Sequence, residues 1–454
     1  MRVTPLKAAL AAGVSLAAII PPALMSTALA GGFGVREQSA RGQGLSFAGA
    51  AAGGAGLGSM YWNPAAVTLY PGHVTSQNLT GIFPDSVITP GAGTSPLLLP
   101  GGGSGNLGID ALVPSGYDAR QINDRVWLGV SSNAPFGLRT DPAQVWSGEF
   151  LARSSKAFSL NVAPTIGVRV TDWLTVGFGV QAQYLDVKVK SAVPVLARAG
   201  SPAFLSGAPT AIIQGDDIGF GITAGVLLTP FVGTQIGLGY RSSIHHELHG
   251  KLKVETGSPF TTSAIPIEAK VNLPEIVTLG LAQEIGGRFT LLAGVEWTNW
   301  SRVGEIGVVN KLSRAPVRGL PFHYEDGFFF SGGAEFHVDP RWTVRTGLAY
   351  EISPVEDQVR SLRIPDNDRV WLSAGASYKW SEKLSFDLGY THIFVADTSI
   401  AIVPGHPDFV SPALQFVGRA DSSVDILSFG INYRFGEVEP AREVRPVREP
   451  VRKF

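Results

Sequence analysis

TDWLTVGFGVQAQYLDVKVK, residues 171–190, holds the pattern from which the rest of the chain can be read. Leu174, Val176, Phe178, Val180, Ala182 and Tyr184 fall on one face of a strand, with Thr175, Gly177, Gly179, Gln181 and Gln183 on the other. The phase then changes, and Leu185, Val187 and Val189 alternate with Asp186, Lys188 and Lys190. Such a change marks a bulge or a strand leaving lipid. Period-two alternation returns about fourteen times, from near residues 73, 109, 124, 157, 173, 217, 233, 264, 288, 325, 341, 368, 383 and 423. The gaps between these segments are of two kinds. Tight ones, such as Thr171-Asp172, Gly286-Gly287 and Asp339-Pro340, take turns with long ones at 84–108, 139–156, 191–216, 311–324, 355–367 and 400–422. An up-and-down barrel in an outer membrane has this rhythm, with short periplasmic turns and long external loops. The apolar face then meets lipid and the polar face lines the lumen.

The N-terminus explains export. Arg2 and Lys7 form a basic start, Ala8 to Ile20 is apolar, and Ala28-Leu29-Ala30 is a small-x-small cleavage signal before Gly31. The apolar run is short for a spanning helix, and Pro21-Pro22 breaks it. With 0 Cys there are no disulfides and no thiolate chemistry. Charged residues are 16% and the formal net charge is −1, which gives no electrostatic case for nucleic acid. The reading is an all-β chain: signal peptide 1–30, N-terminal hatch 31–71, fourteen-stranded antiparallel transmembrane barrel 72–435 and a charged, Pro-rich periplasmic tail 436–454. Fourteen tilted strands give a backbone diameter of roughly 28 Å, too wide for wall side chains to fill, so a plug is expected.

The plug has a sequence of its own: GGFGVREQSARGQGLSFAGAAAGGAGLGSMYWNPAAVTLY at 31–70. Its Gly32-Phe33 start, the small-residue run from Gly44 to Ala50 and above all Asn63-Pro64-Ala65 resemble the hatch of the outer-membrane long-chain fatty acid transporter family. That family also includes toluene and xylene channels. Pro135-Phe136-Gly137 and Leu273-Pro274-Glu275 are further echoes. The resemblance implies a hatched barrel of fourteen strands in the outer membrane of a Gram-negative bacterium. Greasy ligand is caught among external loops, passes to a pocket between hatch and wall, and leaves sideways at an inward kink of the third strand. On this chain the hatch and gate residues would be Phe33, Asn63, Pro64 and Ala65, with Asn63 capping or turning the chain. The third strand would run from about Arg125 to Leu138, with the kink at Pro135 and Gly137. The alternative is that Pro135 and Gly137 only end that strand.

Loop residues Trp146, Phe150, Leu196, Phe204 and Leu205 suit ligand capture, or a lid in which the loops pack on each other. Arg125, Arg169 and Arg345 are candidates to hold a carboxylate headgroup or to latch the hatch, as are Arg36, Glu37 and Arg41 for the latch. His245-His246-Glu247-Leu248-His249 lacks the spacing of a zinc protease, so no metal is expected. No cofactor is expected, and no nucleophile–base pair supports an enzyme. The expected function is passive uptake of a hydrophobic molecule, long-chain fatty acid first, with aromatic or alkane hydrocarbons as the alternative. A general porin or an adhesive or structural barrel is the rival of another class. The surroundings would be outer-membrane lipid and lipopolysaccharide, and the resemblance suggests a monomer.

Overall fold

The computed structural model describes residues 32–195, 199–201, 203–256 and 264–436. The signal peptide, Leu196 and the tail beyond Gly436 lie outside the described residues. Twenty strand segments join in one antiparallel sheet, and six wall strands are interrupted, which leaves fourteen.

β1 (His73–Pro90), β2 (Ala111–Gln121), β3 (Val126–Asn133, resuming at Gly137–Thr140) and β4 (Ser154–Arg169) are followed by the long hairpin of β5 (Leu174–Ala192) and β6 (Thr210–Leu228). β7 (Thr234–Arg241, Ile244–Glu255), β8 (Ile265–Leu273, Ile276–Ile285), β9 (Phe289–Thr298, Glu305–Asn310) and β10 (Pro316–Pro321, Gly327–His337) are each broken once. β11 (Trp342–Ile352), β12 (Arg369–Lys379), β13 (Leu384–Val395, Thr398–Ile402) and β14 (Phe416–Phe435) complete the wall. The barrel closes where β1 pairs with β14, from His73 opposite Phe435 to Pro90 opposite Gly418. Among the described residues no helix is long and apolar enough to cross a membrane.

The outward face is apolar where the alternation placed it. Val176, Phe178 and Val180 on β5, Leu279 and Leu281 on β8 and Leu427 and Phe429 on β14 are exposed, while Thr175, Gln181 and Gln183 are buried inside. Most strands start within three residues of the expected positions, but β6 starts at Thr210 and β14 at Phe416, about seven earlier, and the first part of β10 at Pro316, about nine earlier. All three extend above the lipid, where the outer face no longer needs to be greasy. Alternation fades there although backbone pairing continues. At Tyr184 the register of β5 with β6 is unbroken, from Leu174 opposite Leu228 to Ala192 opposite Thr210. The phase change is therefore not a bulge. Above it the inward positions become apolar and the outward ones charged.

The N-terminal segment lies within the barrel, and nearly every residue from Phe33 to Thr68 is buried. It is a chain of short turns: a one-turn helix Ala40–Gln43 capped by the Ser39 side chain, then 3-10 turns ending at Pro64–Leu69. Wall glycines let it approach. A Cβ at Gly239 would stand 1.8 Å from the Trp62 carbonyl oxygen, and one at Gly225 would stand 2.1 Å from Asn63 Oδ1. Only glycine leaves room for the inner segment's atoms at those distances.

Candidate functional site: an apolar chamber and a break in the wall

The third strand breaks at Ala134-Pro135-Phe136. Asn133 opposes Asn161 on β4, and pairing resumes with Gly137 opposite Phe158. Three residues thus face two, which is a bulge. Pro135 has no N–H to give the ladder. Ser159 holds the bulge by donating Oγ–H to the Phe136 carbonyl (2.7 Å) and accepting from its N–H (2.8 Å).

On the other side of β3 the break leaves a gap. β2 pairs with β3 only as far as Gly116 opposite Ser132. Beyond that, one isolated bridge joins Gly108 to Thr140. The N-terminal segment fills this space from within. Gly34 bridges to Phe136, Val35 N–H donates to the Pro135 carbonyl (2.8 Å), and Gly137 N–H donates to the Phe33 carbonyl (2.8 Å). Gln38 donates to the Ala134 carbonyl (3.0 Å), while the hydroxyls of Ser115 and Tyr117 on β2 donate to the Gln38 carbonyl. Residues 33–38 therefore stitch two wall strands where their own pairing has stopped.

Above the segment lies an apolar chamber. The inverted upper parts of β5 to β8 supply Leu185, Val187, Leu248, Ile267 and Val271. Phe33 closes its base, edge-on to Trp300 (4.8 Å between centroids) and 6.0 Å from both Phe136 and Phe322. The same phenylalanine thus belongs to the chamber and to the stitch across the wall.

The upper end of the chamber is cationic. Arg363, in the loop after β11, lines it and donates to Ser155 Oγ (3.1 Å), Ser191 Oγ (2.7 Å) and the carbonyls of Ser154 and Lys190. Arg318 donates to the same Ser191 hydroxyl (3.0 Å). Among the described residues neither guanidinium forms an ion pair. Burial first, and then Arg318, push Arg363 down to about 9. Asp408 opposes the shift but does not outweigh burial and the neighbouring arginine. Sequence reading missed both residues, because they sit in a loop and a hairpin where no periodicity points at them.

The expected site residues are distributed as follows. Trp146, Phe150, Phe204 and Leu205 are all buried. Phe150 packs on Phe204 (5.0 Å), and the Trp146 indole donates to the Ala152 carbonyl, so these loops pack on each other over the barrel. Asn63 caps the last 3-10 turn through the Ala65 N–H (3.0 Å) and donates to the carbonyls of Ala51 and of Val226 on β6, with Pro64 at the first position. Arg125 is exposed in the turn before β3, and Arg169 lies over the Trp127 ring (4.9 Å). Arg345 is bonded to Glu335 (3.0 Å), which also takes Arg41 of the inner segment (2.7 Å). Arg36 reaches Glu296 (2.5 Å) and stacks on Phe329. His246 turns inward to Asp217 and Gln183. No group of metal-ligating side chains occurs among the described residues.

Glu37, beside the stitch, is buried with one carboxylate oxygen unpartnered, and burial raises it from 4.5 to about 7. A carboxyl raised on folding destabilises the folded state as pH climbs from the unfolded value through the folded one. Glu37→Gln is expected to remove up to about 3 kcal/mol of strain on the segment above pH 7 and none below pH 4. Amide exchange of residues 34–38 should slow in the variant at pH 8 and match the native protein at pH 4. Equal exchange at both would count against an ionised, ill-matched Glu37.

A family model described as "Outer membrane protein transport protein (OMPP1/FadL/TodX)" matches residues 23–435. The chain is 28% identical over 404 residues to a long-chain fatty acid transport protein of Escherichia coli O6:H1, covering 82% of this chain and 89% of that one. It is 25% identical over 441 residues to outer membrane protein P1 of Haemophilus influenzae, covering 89% and 95%. Among solved structures, a Pseudomonas aeruginosa FadL homologue superposes with a TM-score of 0.78 at 23% identity, covering 90% of this chain and 100% of that one. The Ralstonia pickettii toluene transporter TbuX gives 0.63 at 20% identity, covering 88% and 100%. At those identities the structures bear on the fold.

Proposed function

Since the chain belongs to the OMPP1/FadL/TodX family of outer membrane transport proteins, which are channels and not enzymes, we propose that it takes up long-chain fatty acids by passive diffusion. The observation that carries an acid is the chamber itself: a greasy cavity whose upper end presents Arg363, with Arg318 beside it on the shared Ser191, two cations that form no ion pair among the described residues and feel only the more distant Asp408. An acyl chain fills the apolar part and its headgroup supplies the missing charge, which suits a fork of guanidinium donors. A hydrocarbon would bring no charge to meet these two cations, whose N–H groups are held only by hydroxyls and carbonyls. A porin reading fares worse, because the inner segment occupies the lumen that polar solutes would need.

Transport then follows from shared residues. Ligand settling on the chamber base displaces Phe33, and Phe33 is continuous with the stitch at Gly34 to Gln38. Loosening that stitch opens the unpaired space between β2 and β3. The ligand leaves there sideways into lipid, with no aqueous step for its acyl chain. The segment 31–71 acts as the hatch, and its ion pairs from Arg36 and Arg41 to the wall are its latches. The lid of packed loops receives ligand from outside.

Uptake of labelled oleate by a host lacking its own fatty acid channel tests the substrate. The full chain should exceed an empty-vector control. Correct insertion without oleate uptake would sink the acid reading, and toluene uptake in the same cells would make hydrocarbon the substrate. The side exit has its own test. With 0 Cys in the chain, Gly34→Cys with Phe136→Cys can form one disulfide only, at an antiparallel bridge whose spacing suits it. Oxidised, this variant should transport no oleate, and a reductant should restore it. Undiminished uptake in the oxidised state would rule out this route.

A further inference from the structure

Above the lipid band, the outer face of β5, β6 and β7 carries a pattern that uptake does not use. Val187, Val189, Ile213, Leu248 and Gly250 line the chamber. Their alternating neighbours Lys188, Lys190 and Lys251 therefore face outward. Lys188 lies opposite Gln214, and Gln214 opposite Lys251. Two residues higher, Lys190 lies opposite Ile212, and Ile212 opposite Lys253. The four lysines stand at the corners of a rectangle with β6 down its middle, about 10 Å across and about 7 Å high by strand geometry. Lys156 on β4, opposite Lys188, is engaged by Asp186 at 3.2 Å. The four corner lysines form no ion pair among the described residues.

Next below on the same face stand Asp186, engaged by Lys156, and Asp216 opposite it; lower still on β6 come Ile218 and Phe220, 60% and 69% exposed, in the lipid-facing band. A partner for the lysines must hold several anionic groups above acyl chains, clear of the Asp186–Asp216 row between them. We propose that this face docks the phosphorylated headgroup of lipopolysaccharide, with its phosphates in the lysine rectangle and its acyl chains against Ile218 and Phe220. Clustered lysines beside a membrane favour anionic headgroups, and the apolar band below continues into the same lipid. An acidic soluble protein would match the charge but not the lipid-facing surface beneath it.

The test titrates the purified full chain in detergent with Kdo2-lipid A and reads bound lipid by native mass spectrometry. The variant K188Q/K190Q/K251Q/K253Q should bind at least on the order of tenfold more weakly. The corresponding Lys→Arg variant should bind as the native protein does, and lipid A stripped of its phosphates should bind the native protein as weakly as the glutamine variant binds the intact lipid. Heat-modifiable gel mobility checks folding. If the fourfold variant fails it, K188Q/K251Q and K190Q/K253Q carry the test separately, each with a partial loss. Binding by folded glutamine variants within twofold of the native protein would overturn the proposal, as would equal binding of the stripped lipid.

Discussion

Replacing Arg318 and Arg363 together with glutamine is expected to weaken oleate binding by about ten- to a hundredfold and to leave binding of a hydrocarbon of similar length unchanged. Each charge-assisted hydrogen bond to a buried carboxylate is worth roughly 1.5–3 kcal/mol, and the lower end of that range alone is about a factor of ten. The two residues share Ser191, so their effects should not add, and Arg363, which lines the chamber itself, should account for most of the loss. Isothermal titration of the purified barrel with oleate and with octadecane reads both arms. Equal loss for the two ligands would mean that the arginines hold the chamber's shape and not a headgroup.

The second large effect concerns the hatch. Gly239→Val should expel it, because the added carbon would fall 1.8 Å from the Trp62 carbonyl oxygen, a backbone atom with nowhere to go. Gly225→Val should act the same way through Asn63, the residue that caps the last hatch turn. Valine favours strands, so the wall itself should survive. An emptied barrel of roughly 28 Å backbone diameter is a wide aqueous pore. Planar-bilayer conductance should rise from near zero to that of an open porin while gel mobility still reports a folded barrel. A folded variant that stays electrically silent would show that the hatch adapts without leaving.

Strand number and turn placement were legible because lipid on one side and lumen on the other force a period of two. The Asn63 cap was legible because Asn-Pro has few local conformations. The legible part ends where that two-sided environment ends. β6 above Asp217 and the segment at Pro316–Pro321 keep their backbone ladder but lose the greasy outer face, so 191–216 and 311–324 read as loops. Pro135 and Gly137 flag a disturbance in β3, but the three-against-two mismatch depends on which residues of β4 lie opposite. Arg318 and Arg363 are some forty-five residues apart and meet only through Ser191, a contact no local pattern encodes.

The unbroken register of β5 past Tyr184 sets a rule for insertions. Membrane wall and ligand chamber are one continuous beam, and only the choice of side chains says where oil stops being outside and starts being inside. Two residues added to each of β5 and β6 would raise the chamber by about 7 Å and turn no side chain around. One residue added to each would rotate every position above it, emptying grease onto the surface and lysines into the chamber. Length in this hairpin is thus quantised, and relatives that handle longer or shorter cargo should differ here by even steps.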